Sequence, residues 1–172
     1  MKAVFQAGCV LLACALASIE IAAAQPANKG CSSENSIVAQ TLHCGGGVTI
    51  IAENGARFTL RDHNGKGRVD AVELTGGAVL VEVPKKPGGN EFQVITPQAI
   101  AAVRGTKWAV DAAENKTSVF VVNGRVAVGR RRGGQSVTLG AGEGVDVEDA
   151  GPLTVKHWPS PRVSALMARL GQ

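Results

Sequence analysis

The 172-residue chain is 45% hydrophobic and 19% charged, yet only 3% aromatic and without tyrosine. Its net charge of +4 gives an isoelectric point near 9.1, with the cations dispersed except at Arg130-Arg131-Arg132. Scattered charge with few rings to stack bases on argues against a nucleic-acid partner, whereas anionic envelope surfaces fit the basic balance.

At the N-terminus, Lys2 precedes an uncharged, mostly apolar run from Ala3 to Ile19 and then Ala22-Ala23-Ala24. A basic start, an apolar middle and an A-x-A end read as a secretory signal (1–24) cleaved before Gln25. The run is shorter than the roughly 20 residues a spanning helix needs. Leu11-Leu12-Ala13-Cys14 offers a rival lipoprotein reading, against which stand the leucine two before the cysteine and the apolar stretch beyond it. The expectation is an exported, periplasmic or secreted domain with no stable membrane span once the signal is removed.

Cleavage leaves Cys31 and Cys44 as the only thiols, in an oxidising compartment where an even pair invites a disulfide. The residues between them are polar, and a bridge there would close that short loop within a polar N-terminal segment, 25–44. A metal site using His43 beside Cys44 is the alternative, but two cysteines and one histidine at this spacing match no zinc pattern.

From Gly45 onward, β-branched runs separated by glycine recur, the pattern of strands and tight turns. The runs begin with Val48–Ile51, Arg57–Leu60, Ala71–Leu74 and Ala78–Val83. They continue with Phe92–Ile95, Ala101–Val103, Trp108–Val110, Ser118–Val122, Arg125–Val128, Ser136–Leu139 and Gly144–Val147. About eleven short strands in about a hundred residues predict an all-β domain over 45–150, either β-solenoid-like or sandwich-like. Asn123-Gly124, Asn54-Gly55 and Asn64-Gly65 carry the chemistry of type I′ hairpin turns. A proline-rich tail (151–172) ends in a stripe of Val163, Leu166, Met167 and Leu170, which predicts a short helix docked on the sheet or on a partner.

Groups that could do chemistry are sparse. His63 lies beside Asp62 in an expected turn, where polar residues are normal, although a hydrolytic role for it is the enzyme alternative. His157-Trp158 reads as a cap on the domain. Glu143, Asp146, Glu148 and Asp149 lack calcium-loop spacing, and no glycine-rich loop ends in the Gly-Lys-Ser/Thr of a phosphate cradle. No catalytic, cofactor or metal site is therefore assigned. Arg130, Arg131 and Arg132 abut Gly133-Gly134 and read as a solvated hairpin tip, with partner contact the functional alternative.

The segment Val103-Arg104-Gly105-Thr106 interrupts an apolar run. Thr96-Pro97 ends the preceding strand, and Gly105 marks a bulge or corner. A guanidinium at such a corner can donate to several carbonyls at once, so Arg104 is expected to clamp it.

Four ordered elements here resemble the FecR domain: a strand ending Thr96-Pro97, the corner Arg104-Gly105-Thr106 with Trp108, then Asn123-Gly124 leading into a valine strand, and Leu139 to Glu143 with Gly142. The resemblance implies a periplasmic all-β domain similar to that of iron-dicitrate-type transmembrane sensors. In those sensors the domain passes a signal from an outer-membrane transporter, through a membrane helix, to a cytoplasmic sigma-factor regulator. This sequence shows no cytoplasmic region before its apolar start and, once cleaved, no membrane helix. A free-standing, non-enzymatic FecR-like protein that binds a protein or cell-envelope partner is the expectation, with a membrane-anchored sensor or regulator as the alternative.

Overall fold

The computed structural model describes residues 30–87 and 91–172. The expected signal segment and its cleavage site lie outside the described residues. Thirteen strands, β1 (Cys31–Asn35), β2 (Ala39–Cys44), β3 (Val48–Glu53), β4 (Arg57–Arg61), β5 (Ala71–Glu82), β6 (Phe92–Ile95), β7 (Ala99–Val103), β8 (Lys107–Ala112), β9 (Lys116–Asn123), β10 (Val126–Arg130), β11 (Ser136–Leu139), β12 (Glu143–Glu148) and β13 (Lys156–His157), are followed by one helix, α1 (Ser160–Arg169). The all-β reading with a short C-terminal helix holds.

The strands form one continuous sheet that curls on itself. Its pivot is β5, which the sequence divides into two runs and the structure joins into twelve residues. The first half of β5 pairs antiparallel with β4 and parallel with β6; its second half pairs antiparallel with β3 and β8. Two faces result: β4-β5-β6-β7-β10-β11 on one side and β1-β2-β3-β5-β8-β9-β12-β13 on the other. Gly77 sits at the bend with φ of 82°, and a Cβ there would lie 2.9 Å from the Ala56 Cα. Only glycine fits both demands.

Between the faces, alternate residues of each strand turn inward. Val72, Leu74, Val79, Val81, Val94, Val110, Val121, Val126 and Val128 are all buried in this core. Trp108 is fully buried and meets Phe92 edge to face at a centroid distance of 6.2 Å. Burying each of these side chains contributes roughly 1.5–3 kcal/mol.

The polar stretch before Gly45 belongs to the same sheet, because β2 pairs with β3 along its length. It escapes a reading by hydrophobic runs because only Ala39, Leu42 and Cys44 of β2 are buried. Cys31 and Cys44 stand opposite each other in the β1–β2 ladder, joined by a disulfide, with Cα atoms 4.1 Å apart. Among the described residues, the side chain of His43 has one hydrogen-bond partner, Thr49, at 3.5 Å.

Helix α1 covers the outer surface of the second face. Leu166, Leu170, Val163 and Met167 pack on Ala78, Leu80, Ala109, Phe120 and Ile51, so the apolar stripe docks on the sheet. Trp158 leads into the helix, stacked 5.2 Å from Phe120 and covered by the Arg162 guanidinium at 3.5 Å. Gly144 of β12 makes the space for this indole, since a Cβ there would lie 2.3 Å from Trp158 Nε1. Two arginines fasten the helix. Arg162 donates to both Asp146 oxygens at 3.1 and 2.5 Å, and Arg169 donates to Asp111 at 2.7 Å and to Glu53 at 2.6 Å. Each pair is bidentate, the strong geometry for arginine and carboxylate.

Burial opposes the ionisation of Asp146. The hydrogen bonds from Arg162 and Ser118 and the Arg162 charge outweigh it and hold the carboxyl below its ordinary 3.8. A depressed carboxylate stabilises the fold above its unfolded value and ceases to do so as pH falls through its folded value. Acidification below about pH 4 should therefore weaken docking of α1, read as a red shift of Trp158 fluorescence in the Trp108→Phe background, and Asp146→Asn should flatten that transition. Replacing both Cys31 and Cys44 by serine should lower stability by about 3 kcal/mol, the usual effect of opening a loop of this size, measured by urea denaturation.

Candidate functional site

Three of the four resemblance motifs fall where the chain crosses from one face to the other. Arg104-Gly105-Thr106 joins β7 to β8, Asn123-Gly124 joins β9 to β10, and Gly140 to Gly142 joins β11 to β12. The Asn-Gly sites are thus not all hairpins: Asn123-Gly124 and Asn54-Gly55 link strands on different faces. Type I′ geometry needs positive φ at both central residues, and among the described residues only glycines have it.

Arg104 does not clamp its corner. It is exposed, and no hydrogen bond or ion pair holds it among the described residues. Thr106 does that work. Its backbone exchanges two hydrogen bonds with Val83, at 2.9 and 3.0 Å, and its hydroxyl donates to the Arg125 carbonyl at 3.0 Å. Gly105 has φ of 71°, and a Cβ there would meet Lys85 at 2.7 Å; a Cβ on Gly124 would meet Thr106 Oγ1 at 2.8 Å. The two motifs are therefore one packed corner. In the third, Glu143 accepts the Gly140 amide at 2.7 Å, and Gly142 donates to the Val121 carbonyl at 2.9 Å.

Thr96-Pro97 lies at the opposite end, in the β6–β7 turn. Buried Thr96, Thr117 and Gln98 form a chain there. The Ala99 amide donates to Thr96 Oγ1 at 2.9 Å, Thr96 and Thr117 hydroxyls lie 2.7 Å apart, and Thr117 donates to Gln98 Oε1 at 2.9 Å. Because each hydroxyl has a single proton, one direction of donation satisfies the chain. Arg131 reaches the same turn, donating to the Thr96 carbonyl at 3.2 Å. Arg130 donates to the carbonyls of Glu148 and Gly151. Of the arginine triplet, only Arg132 makes no hydrogen bond or ion pair among the described residues.

His63 is held by Asp70, whose carboxylate lies 2.9 Å from Nδ1 and also accepts the His63 amide and Asn64 Nδ2. Asp62 accepts the Gly67 amide at 2.7 Å. Slight desolvation opposes its ionisation, but the amides of Gly67, Lys66, Gly65 and Asn64 outweigh that and hold it below the ordinary carboxylate range. Both acids are thus folded into their own β4–β5 loop. Among the described residues no group of three or more His, Cys, Asp or Glu could hold a metal.

Beside the packed corner opens a cleft of about 280 Å³, bounded by the β2–β3 turn, the β4–β5 loop and the segment after β5. Val48, Val69 and Phe92 form its apolar floor, and Lys66, Arg68 and Lys86 stand at its rim. Arg68 lies over Gly46, and Lys86 donates to the Gly46 carbonyl at 2.8 Å. None of the three has a carboxylate partner among the described residues, and Lys85, Arg104 and Arg125 around the neighbouring corner have none either. These six cations come from four separate connections, which is why no local pattern reveals their gathering, and Asp62, Asp70 and Glu91 line the cleft beside them.

Arg104→Ala should leave the melting temperature within about 2 °C of wild type, since exposed unpaired side chains contribute little. Thr106→Val should cost roughly 1–3 kcal/mol by leaving the Arg125 carbonyl without its donor, both measured by thermal denaturation.

Comparison with known proteins places these features in context. No curated protein matches the chain. Two crystal structures of a protein from Parabacteroides distasonis ATCC 8503, provisionally described as an anti-sigma factor and determined at 1.65 and 2.50 Å, share its fold. Each aligns with a TM-score of 0.62 at 22% identity over 80% of this chain. The chain spans 64% and 63% of the length of those structures. The FecR protein family model matches residues 39–127, from β2 into β10, so that the Arg104 and Asn123 corners fall inside the match and Gly142-Glu143 beyond it. With half of its length covered by that model, the chain belongs to the FecR family.

Proposed function

We propose that this protein is a non-enzymatic, exported FecR domain that binds a protein or cell-envelope component in periplasmic signalling. What carries the reading is the division of its ionisable side chains. Several are spent on the fold: Arg162 with Asp146, Arg169 with Glu53 and Asp111, Arg61 with Glu73, and His63 with Asp70. Among the described residues, Lys85, Arg104 and Arg125 around the Thr106 corner have no carboxylate partner, and they stand beside a concave surface whose lining mixes Lys66, Arg68 and Lys86 with Asp62, Asp70 and Glu91. Such an arrangement favours recognition through charge and shape.

The Cys31–Cys44 bridge supports an oxidising compartment. No helix among the described residues is long and apolar enough to cross a membrane. A second reading keeps the apolar run Ala3–Ile19 as an anchor, making the protein a membrane-held sensor or regulator of a sigma-factor system. The provisional anti-sigma description of the similar structures favours it.

Intact mass of the protein recovered from its host envelope, with and without reduction and alkylation, separates the two. A mass starting at Gln25 and two hydrogens light before reduction is the expected result. A full-length or lipid-bearing mass would put the anchored reading first.

A further inference from the structure

We infer that the cleft beside the Thr106 corner holds the protein's own N-terminal segment, Gln25 to Lys29, with Pro26 and Ala27 on its apolar floor. This goes beyond the binding role proposed above and stands without it, since the occupant belongs to the same chain.

What selects this occupant is where the chain enters the fold. The described residues begin at Gly30, and Cys31 stands opposite Cys44 at the start of the β1–β2 ladder, tied to it by the disulfide. Gly45 and Gly46, which follow Cys44, line the cleft. On its other side Gly30 lies against the β4–β5 loop, where a Cβ would be 3.0 Å from the Gly67 carbonyl oxygen. Gly67 is flanked by Lys66 and Arg68, which also line the cleft. Strand β1 then runs away from this end toward Asn35, so the residues before Gly30 start at the rim. Gly30 has φ of 67°, a left-handed turn open to glycine. From Gly30 back to Ala27 an extended chain spans about 10 Å, enough to carry Ala27 from the rim over a cleft of about 280 Å³.

The lining matches a short, mixed segment. Val48, Val69 and Phe92 form a recessed floor, exposed by only 7%, 5% and 2%. Pro26 and Ala27 are the apolar residues between Gln25 and Lys29. Above the floor, Lys66, Arg68 and Lys86 supply donors, and Asp62, Asp70 and Glu91 supply acceptors. These charges balance, so the rim selects no ionic ligand. A mixed set of donors and acceptors suits a passing backbone, whose amides and carbonyls need both. A segment tethered this closely has an effective concentration in the millimolar range, so a weak contact is enough to fill the cleft. Pro26 lowers the ordering cost because its φ is already fixed. A free peptide, a lipid or a second copy must give up its translational freedom to bind. A partner that uses the cleft must therefore first displace the segment.

The test is NMR of the isotope-labelled, disulfide-intact protein carrying its own N-terminus. Nuclear Overhauser effects should join the Ala27 methyl to the methyls of Val48 or Val69 or to the Phe92 ring, and the Asn28 amide should relax like those of the strands. Ala27→Asp should abolish these effects and move the amide shifts of Gly46, Arg68 and Phe92, with the rest of the spectrum unchanged.

Missing effects together with tail-like relaxation at Asn28 overturn the inference, as do cleft shifts that ignore Ala27→Asp. Effects seen only between differently labelled chains of a mixed sample would make the occupant a second copy and overturn it too. The reading is the same whether or not residues 1–24 are removed. Capture of an envelope partner does not bear on it, so either this inference or the binding role can fail alone.

Discussion

Everything in this fold hangs on β5 serving two faces at once. Its twelve residues are hydrogen-bonded to β4 and β6 before the bend and to β3 and β8 after it. A strand can do this only where its backbone turns sharply without losing its ladders. Gly76-Gly77 provides the turn, with positive φ at the second glycine and no room for a side chain against Ala56. Four strands inherit their position directly from this one, and the valine core forms because the bend sets the two inner surfaces face to face. The cost of ordering so many β residues is offset mainly by this apolar burial.

The other crossings follow the same logic with different chemistry. The corner at Gly105 is close-packed against Lys85 and, through Thr106, against Gly124 and the Arg125 carbonyl. Two family motifs widely separated in sequence are therefore a single physical object, and the threonine hydroxyl bridges them. The Thr96 turn is a second such object, in which two hydroxyls and an amide satisfy one another out of contact with water. Buried polar groups of this kind favour one arrangement over its alternatives, because a shifted register would leave them unpaired.

Helix α1 adds a third layer by a different means. Its apolar stripe is short, and the burial of Leu166 and Leu170 is supplemented by arginines reaching four strands: Glu53 on β3, Asp111 on β8, Ser118 on β9 and Asp146 on β12. The guanidinium of Arg162 serves twice, over the Trp158 ring and on the Asp146 carboxylate. The acids on this surface are thereby neutralised. Around the cleft beside the Thr106 corner the charges are arranged differently: Asp62 and Asp70 are hydrogen-bonded to groups of their own loop, and Lys66, Arg68 and Lys86 form no ion pair among the described residues.

Strand identity was legible in the sequence because alternation and glycine punctuation are local signals, each readable within a few residues. Phe92–Ile95 and Ser136–Leu139 coincide with observed strands, and the stripe from Val163 to Leu170 gave the helix and its docking. Where inward residues were few, as in β2, the signal failed. Residue type alone also misassigned the corner, pointing to the arginine that could donate most bonds when the neighbouring threonine makes them. Which strands pair, which charges find partners and which are left bare depend on groups far apart in the chain. No local pattern marks Lys66, Arg68 and Lys86, which the fold brings beside Val48 and Phe92 at one cleft. The sequence by itself determined the all-β character, the corners and the cysteine pair; the tertiary structure alone decided the bend of β5 and the cleft beside the Thr106 corner, because both depend on long-range contacts that no local pattern encodes.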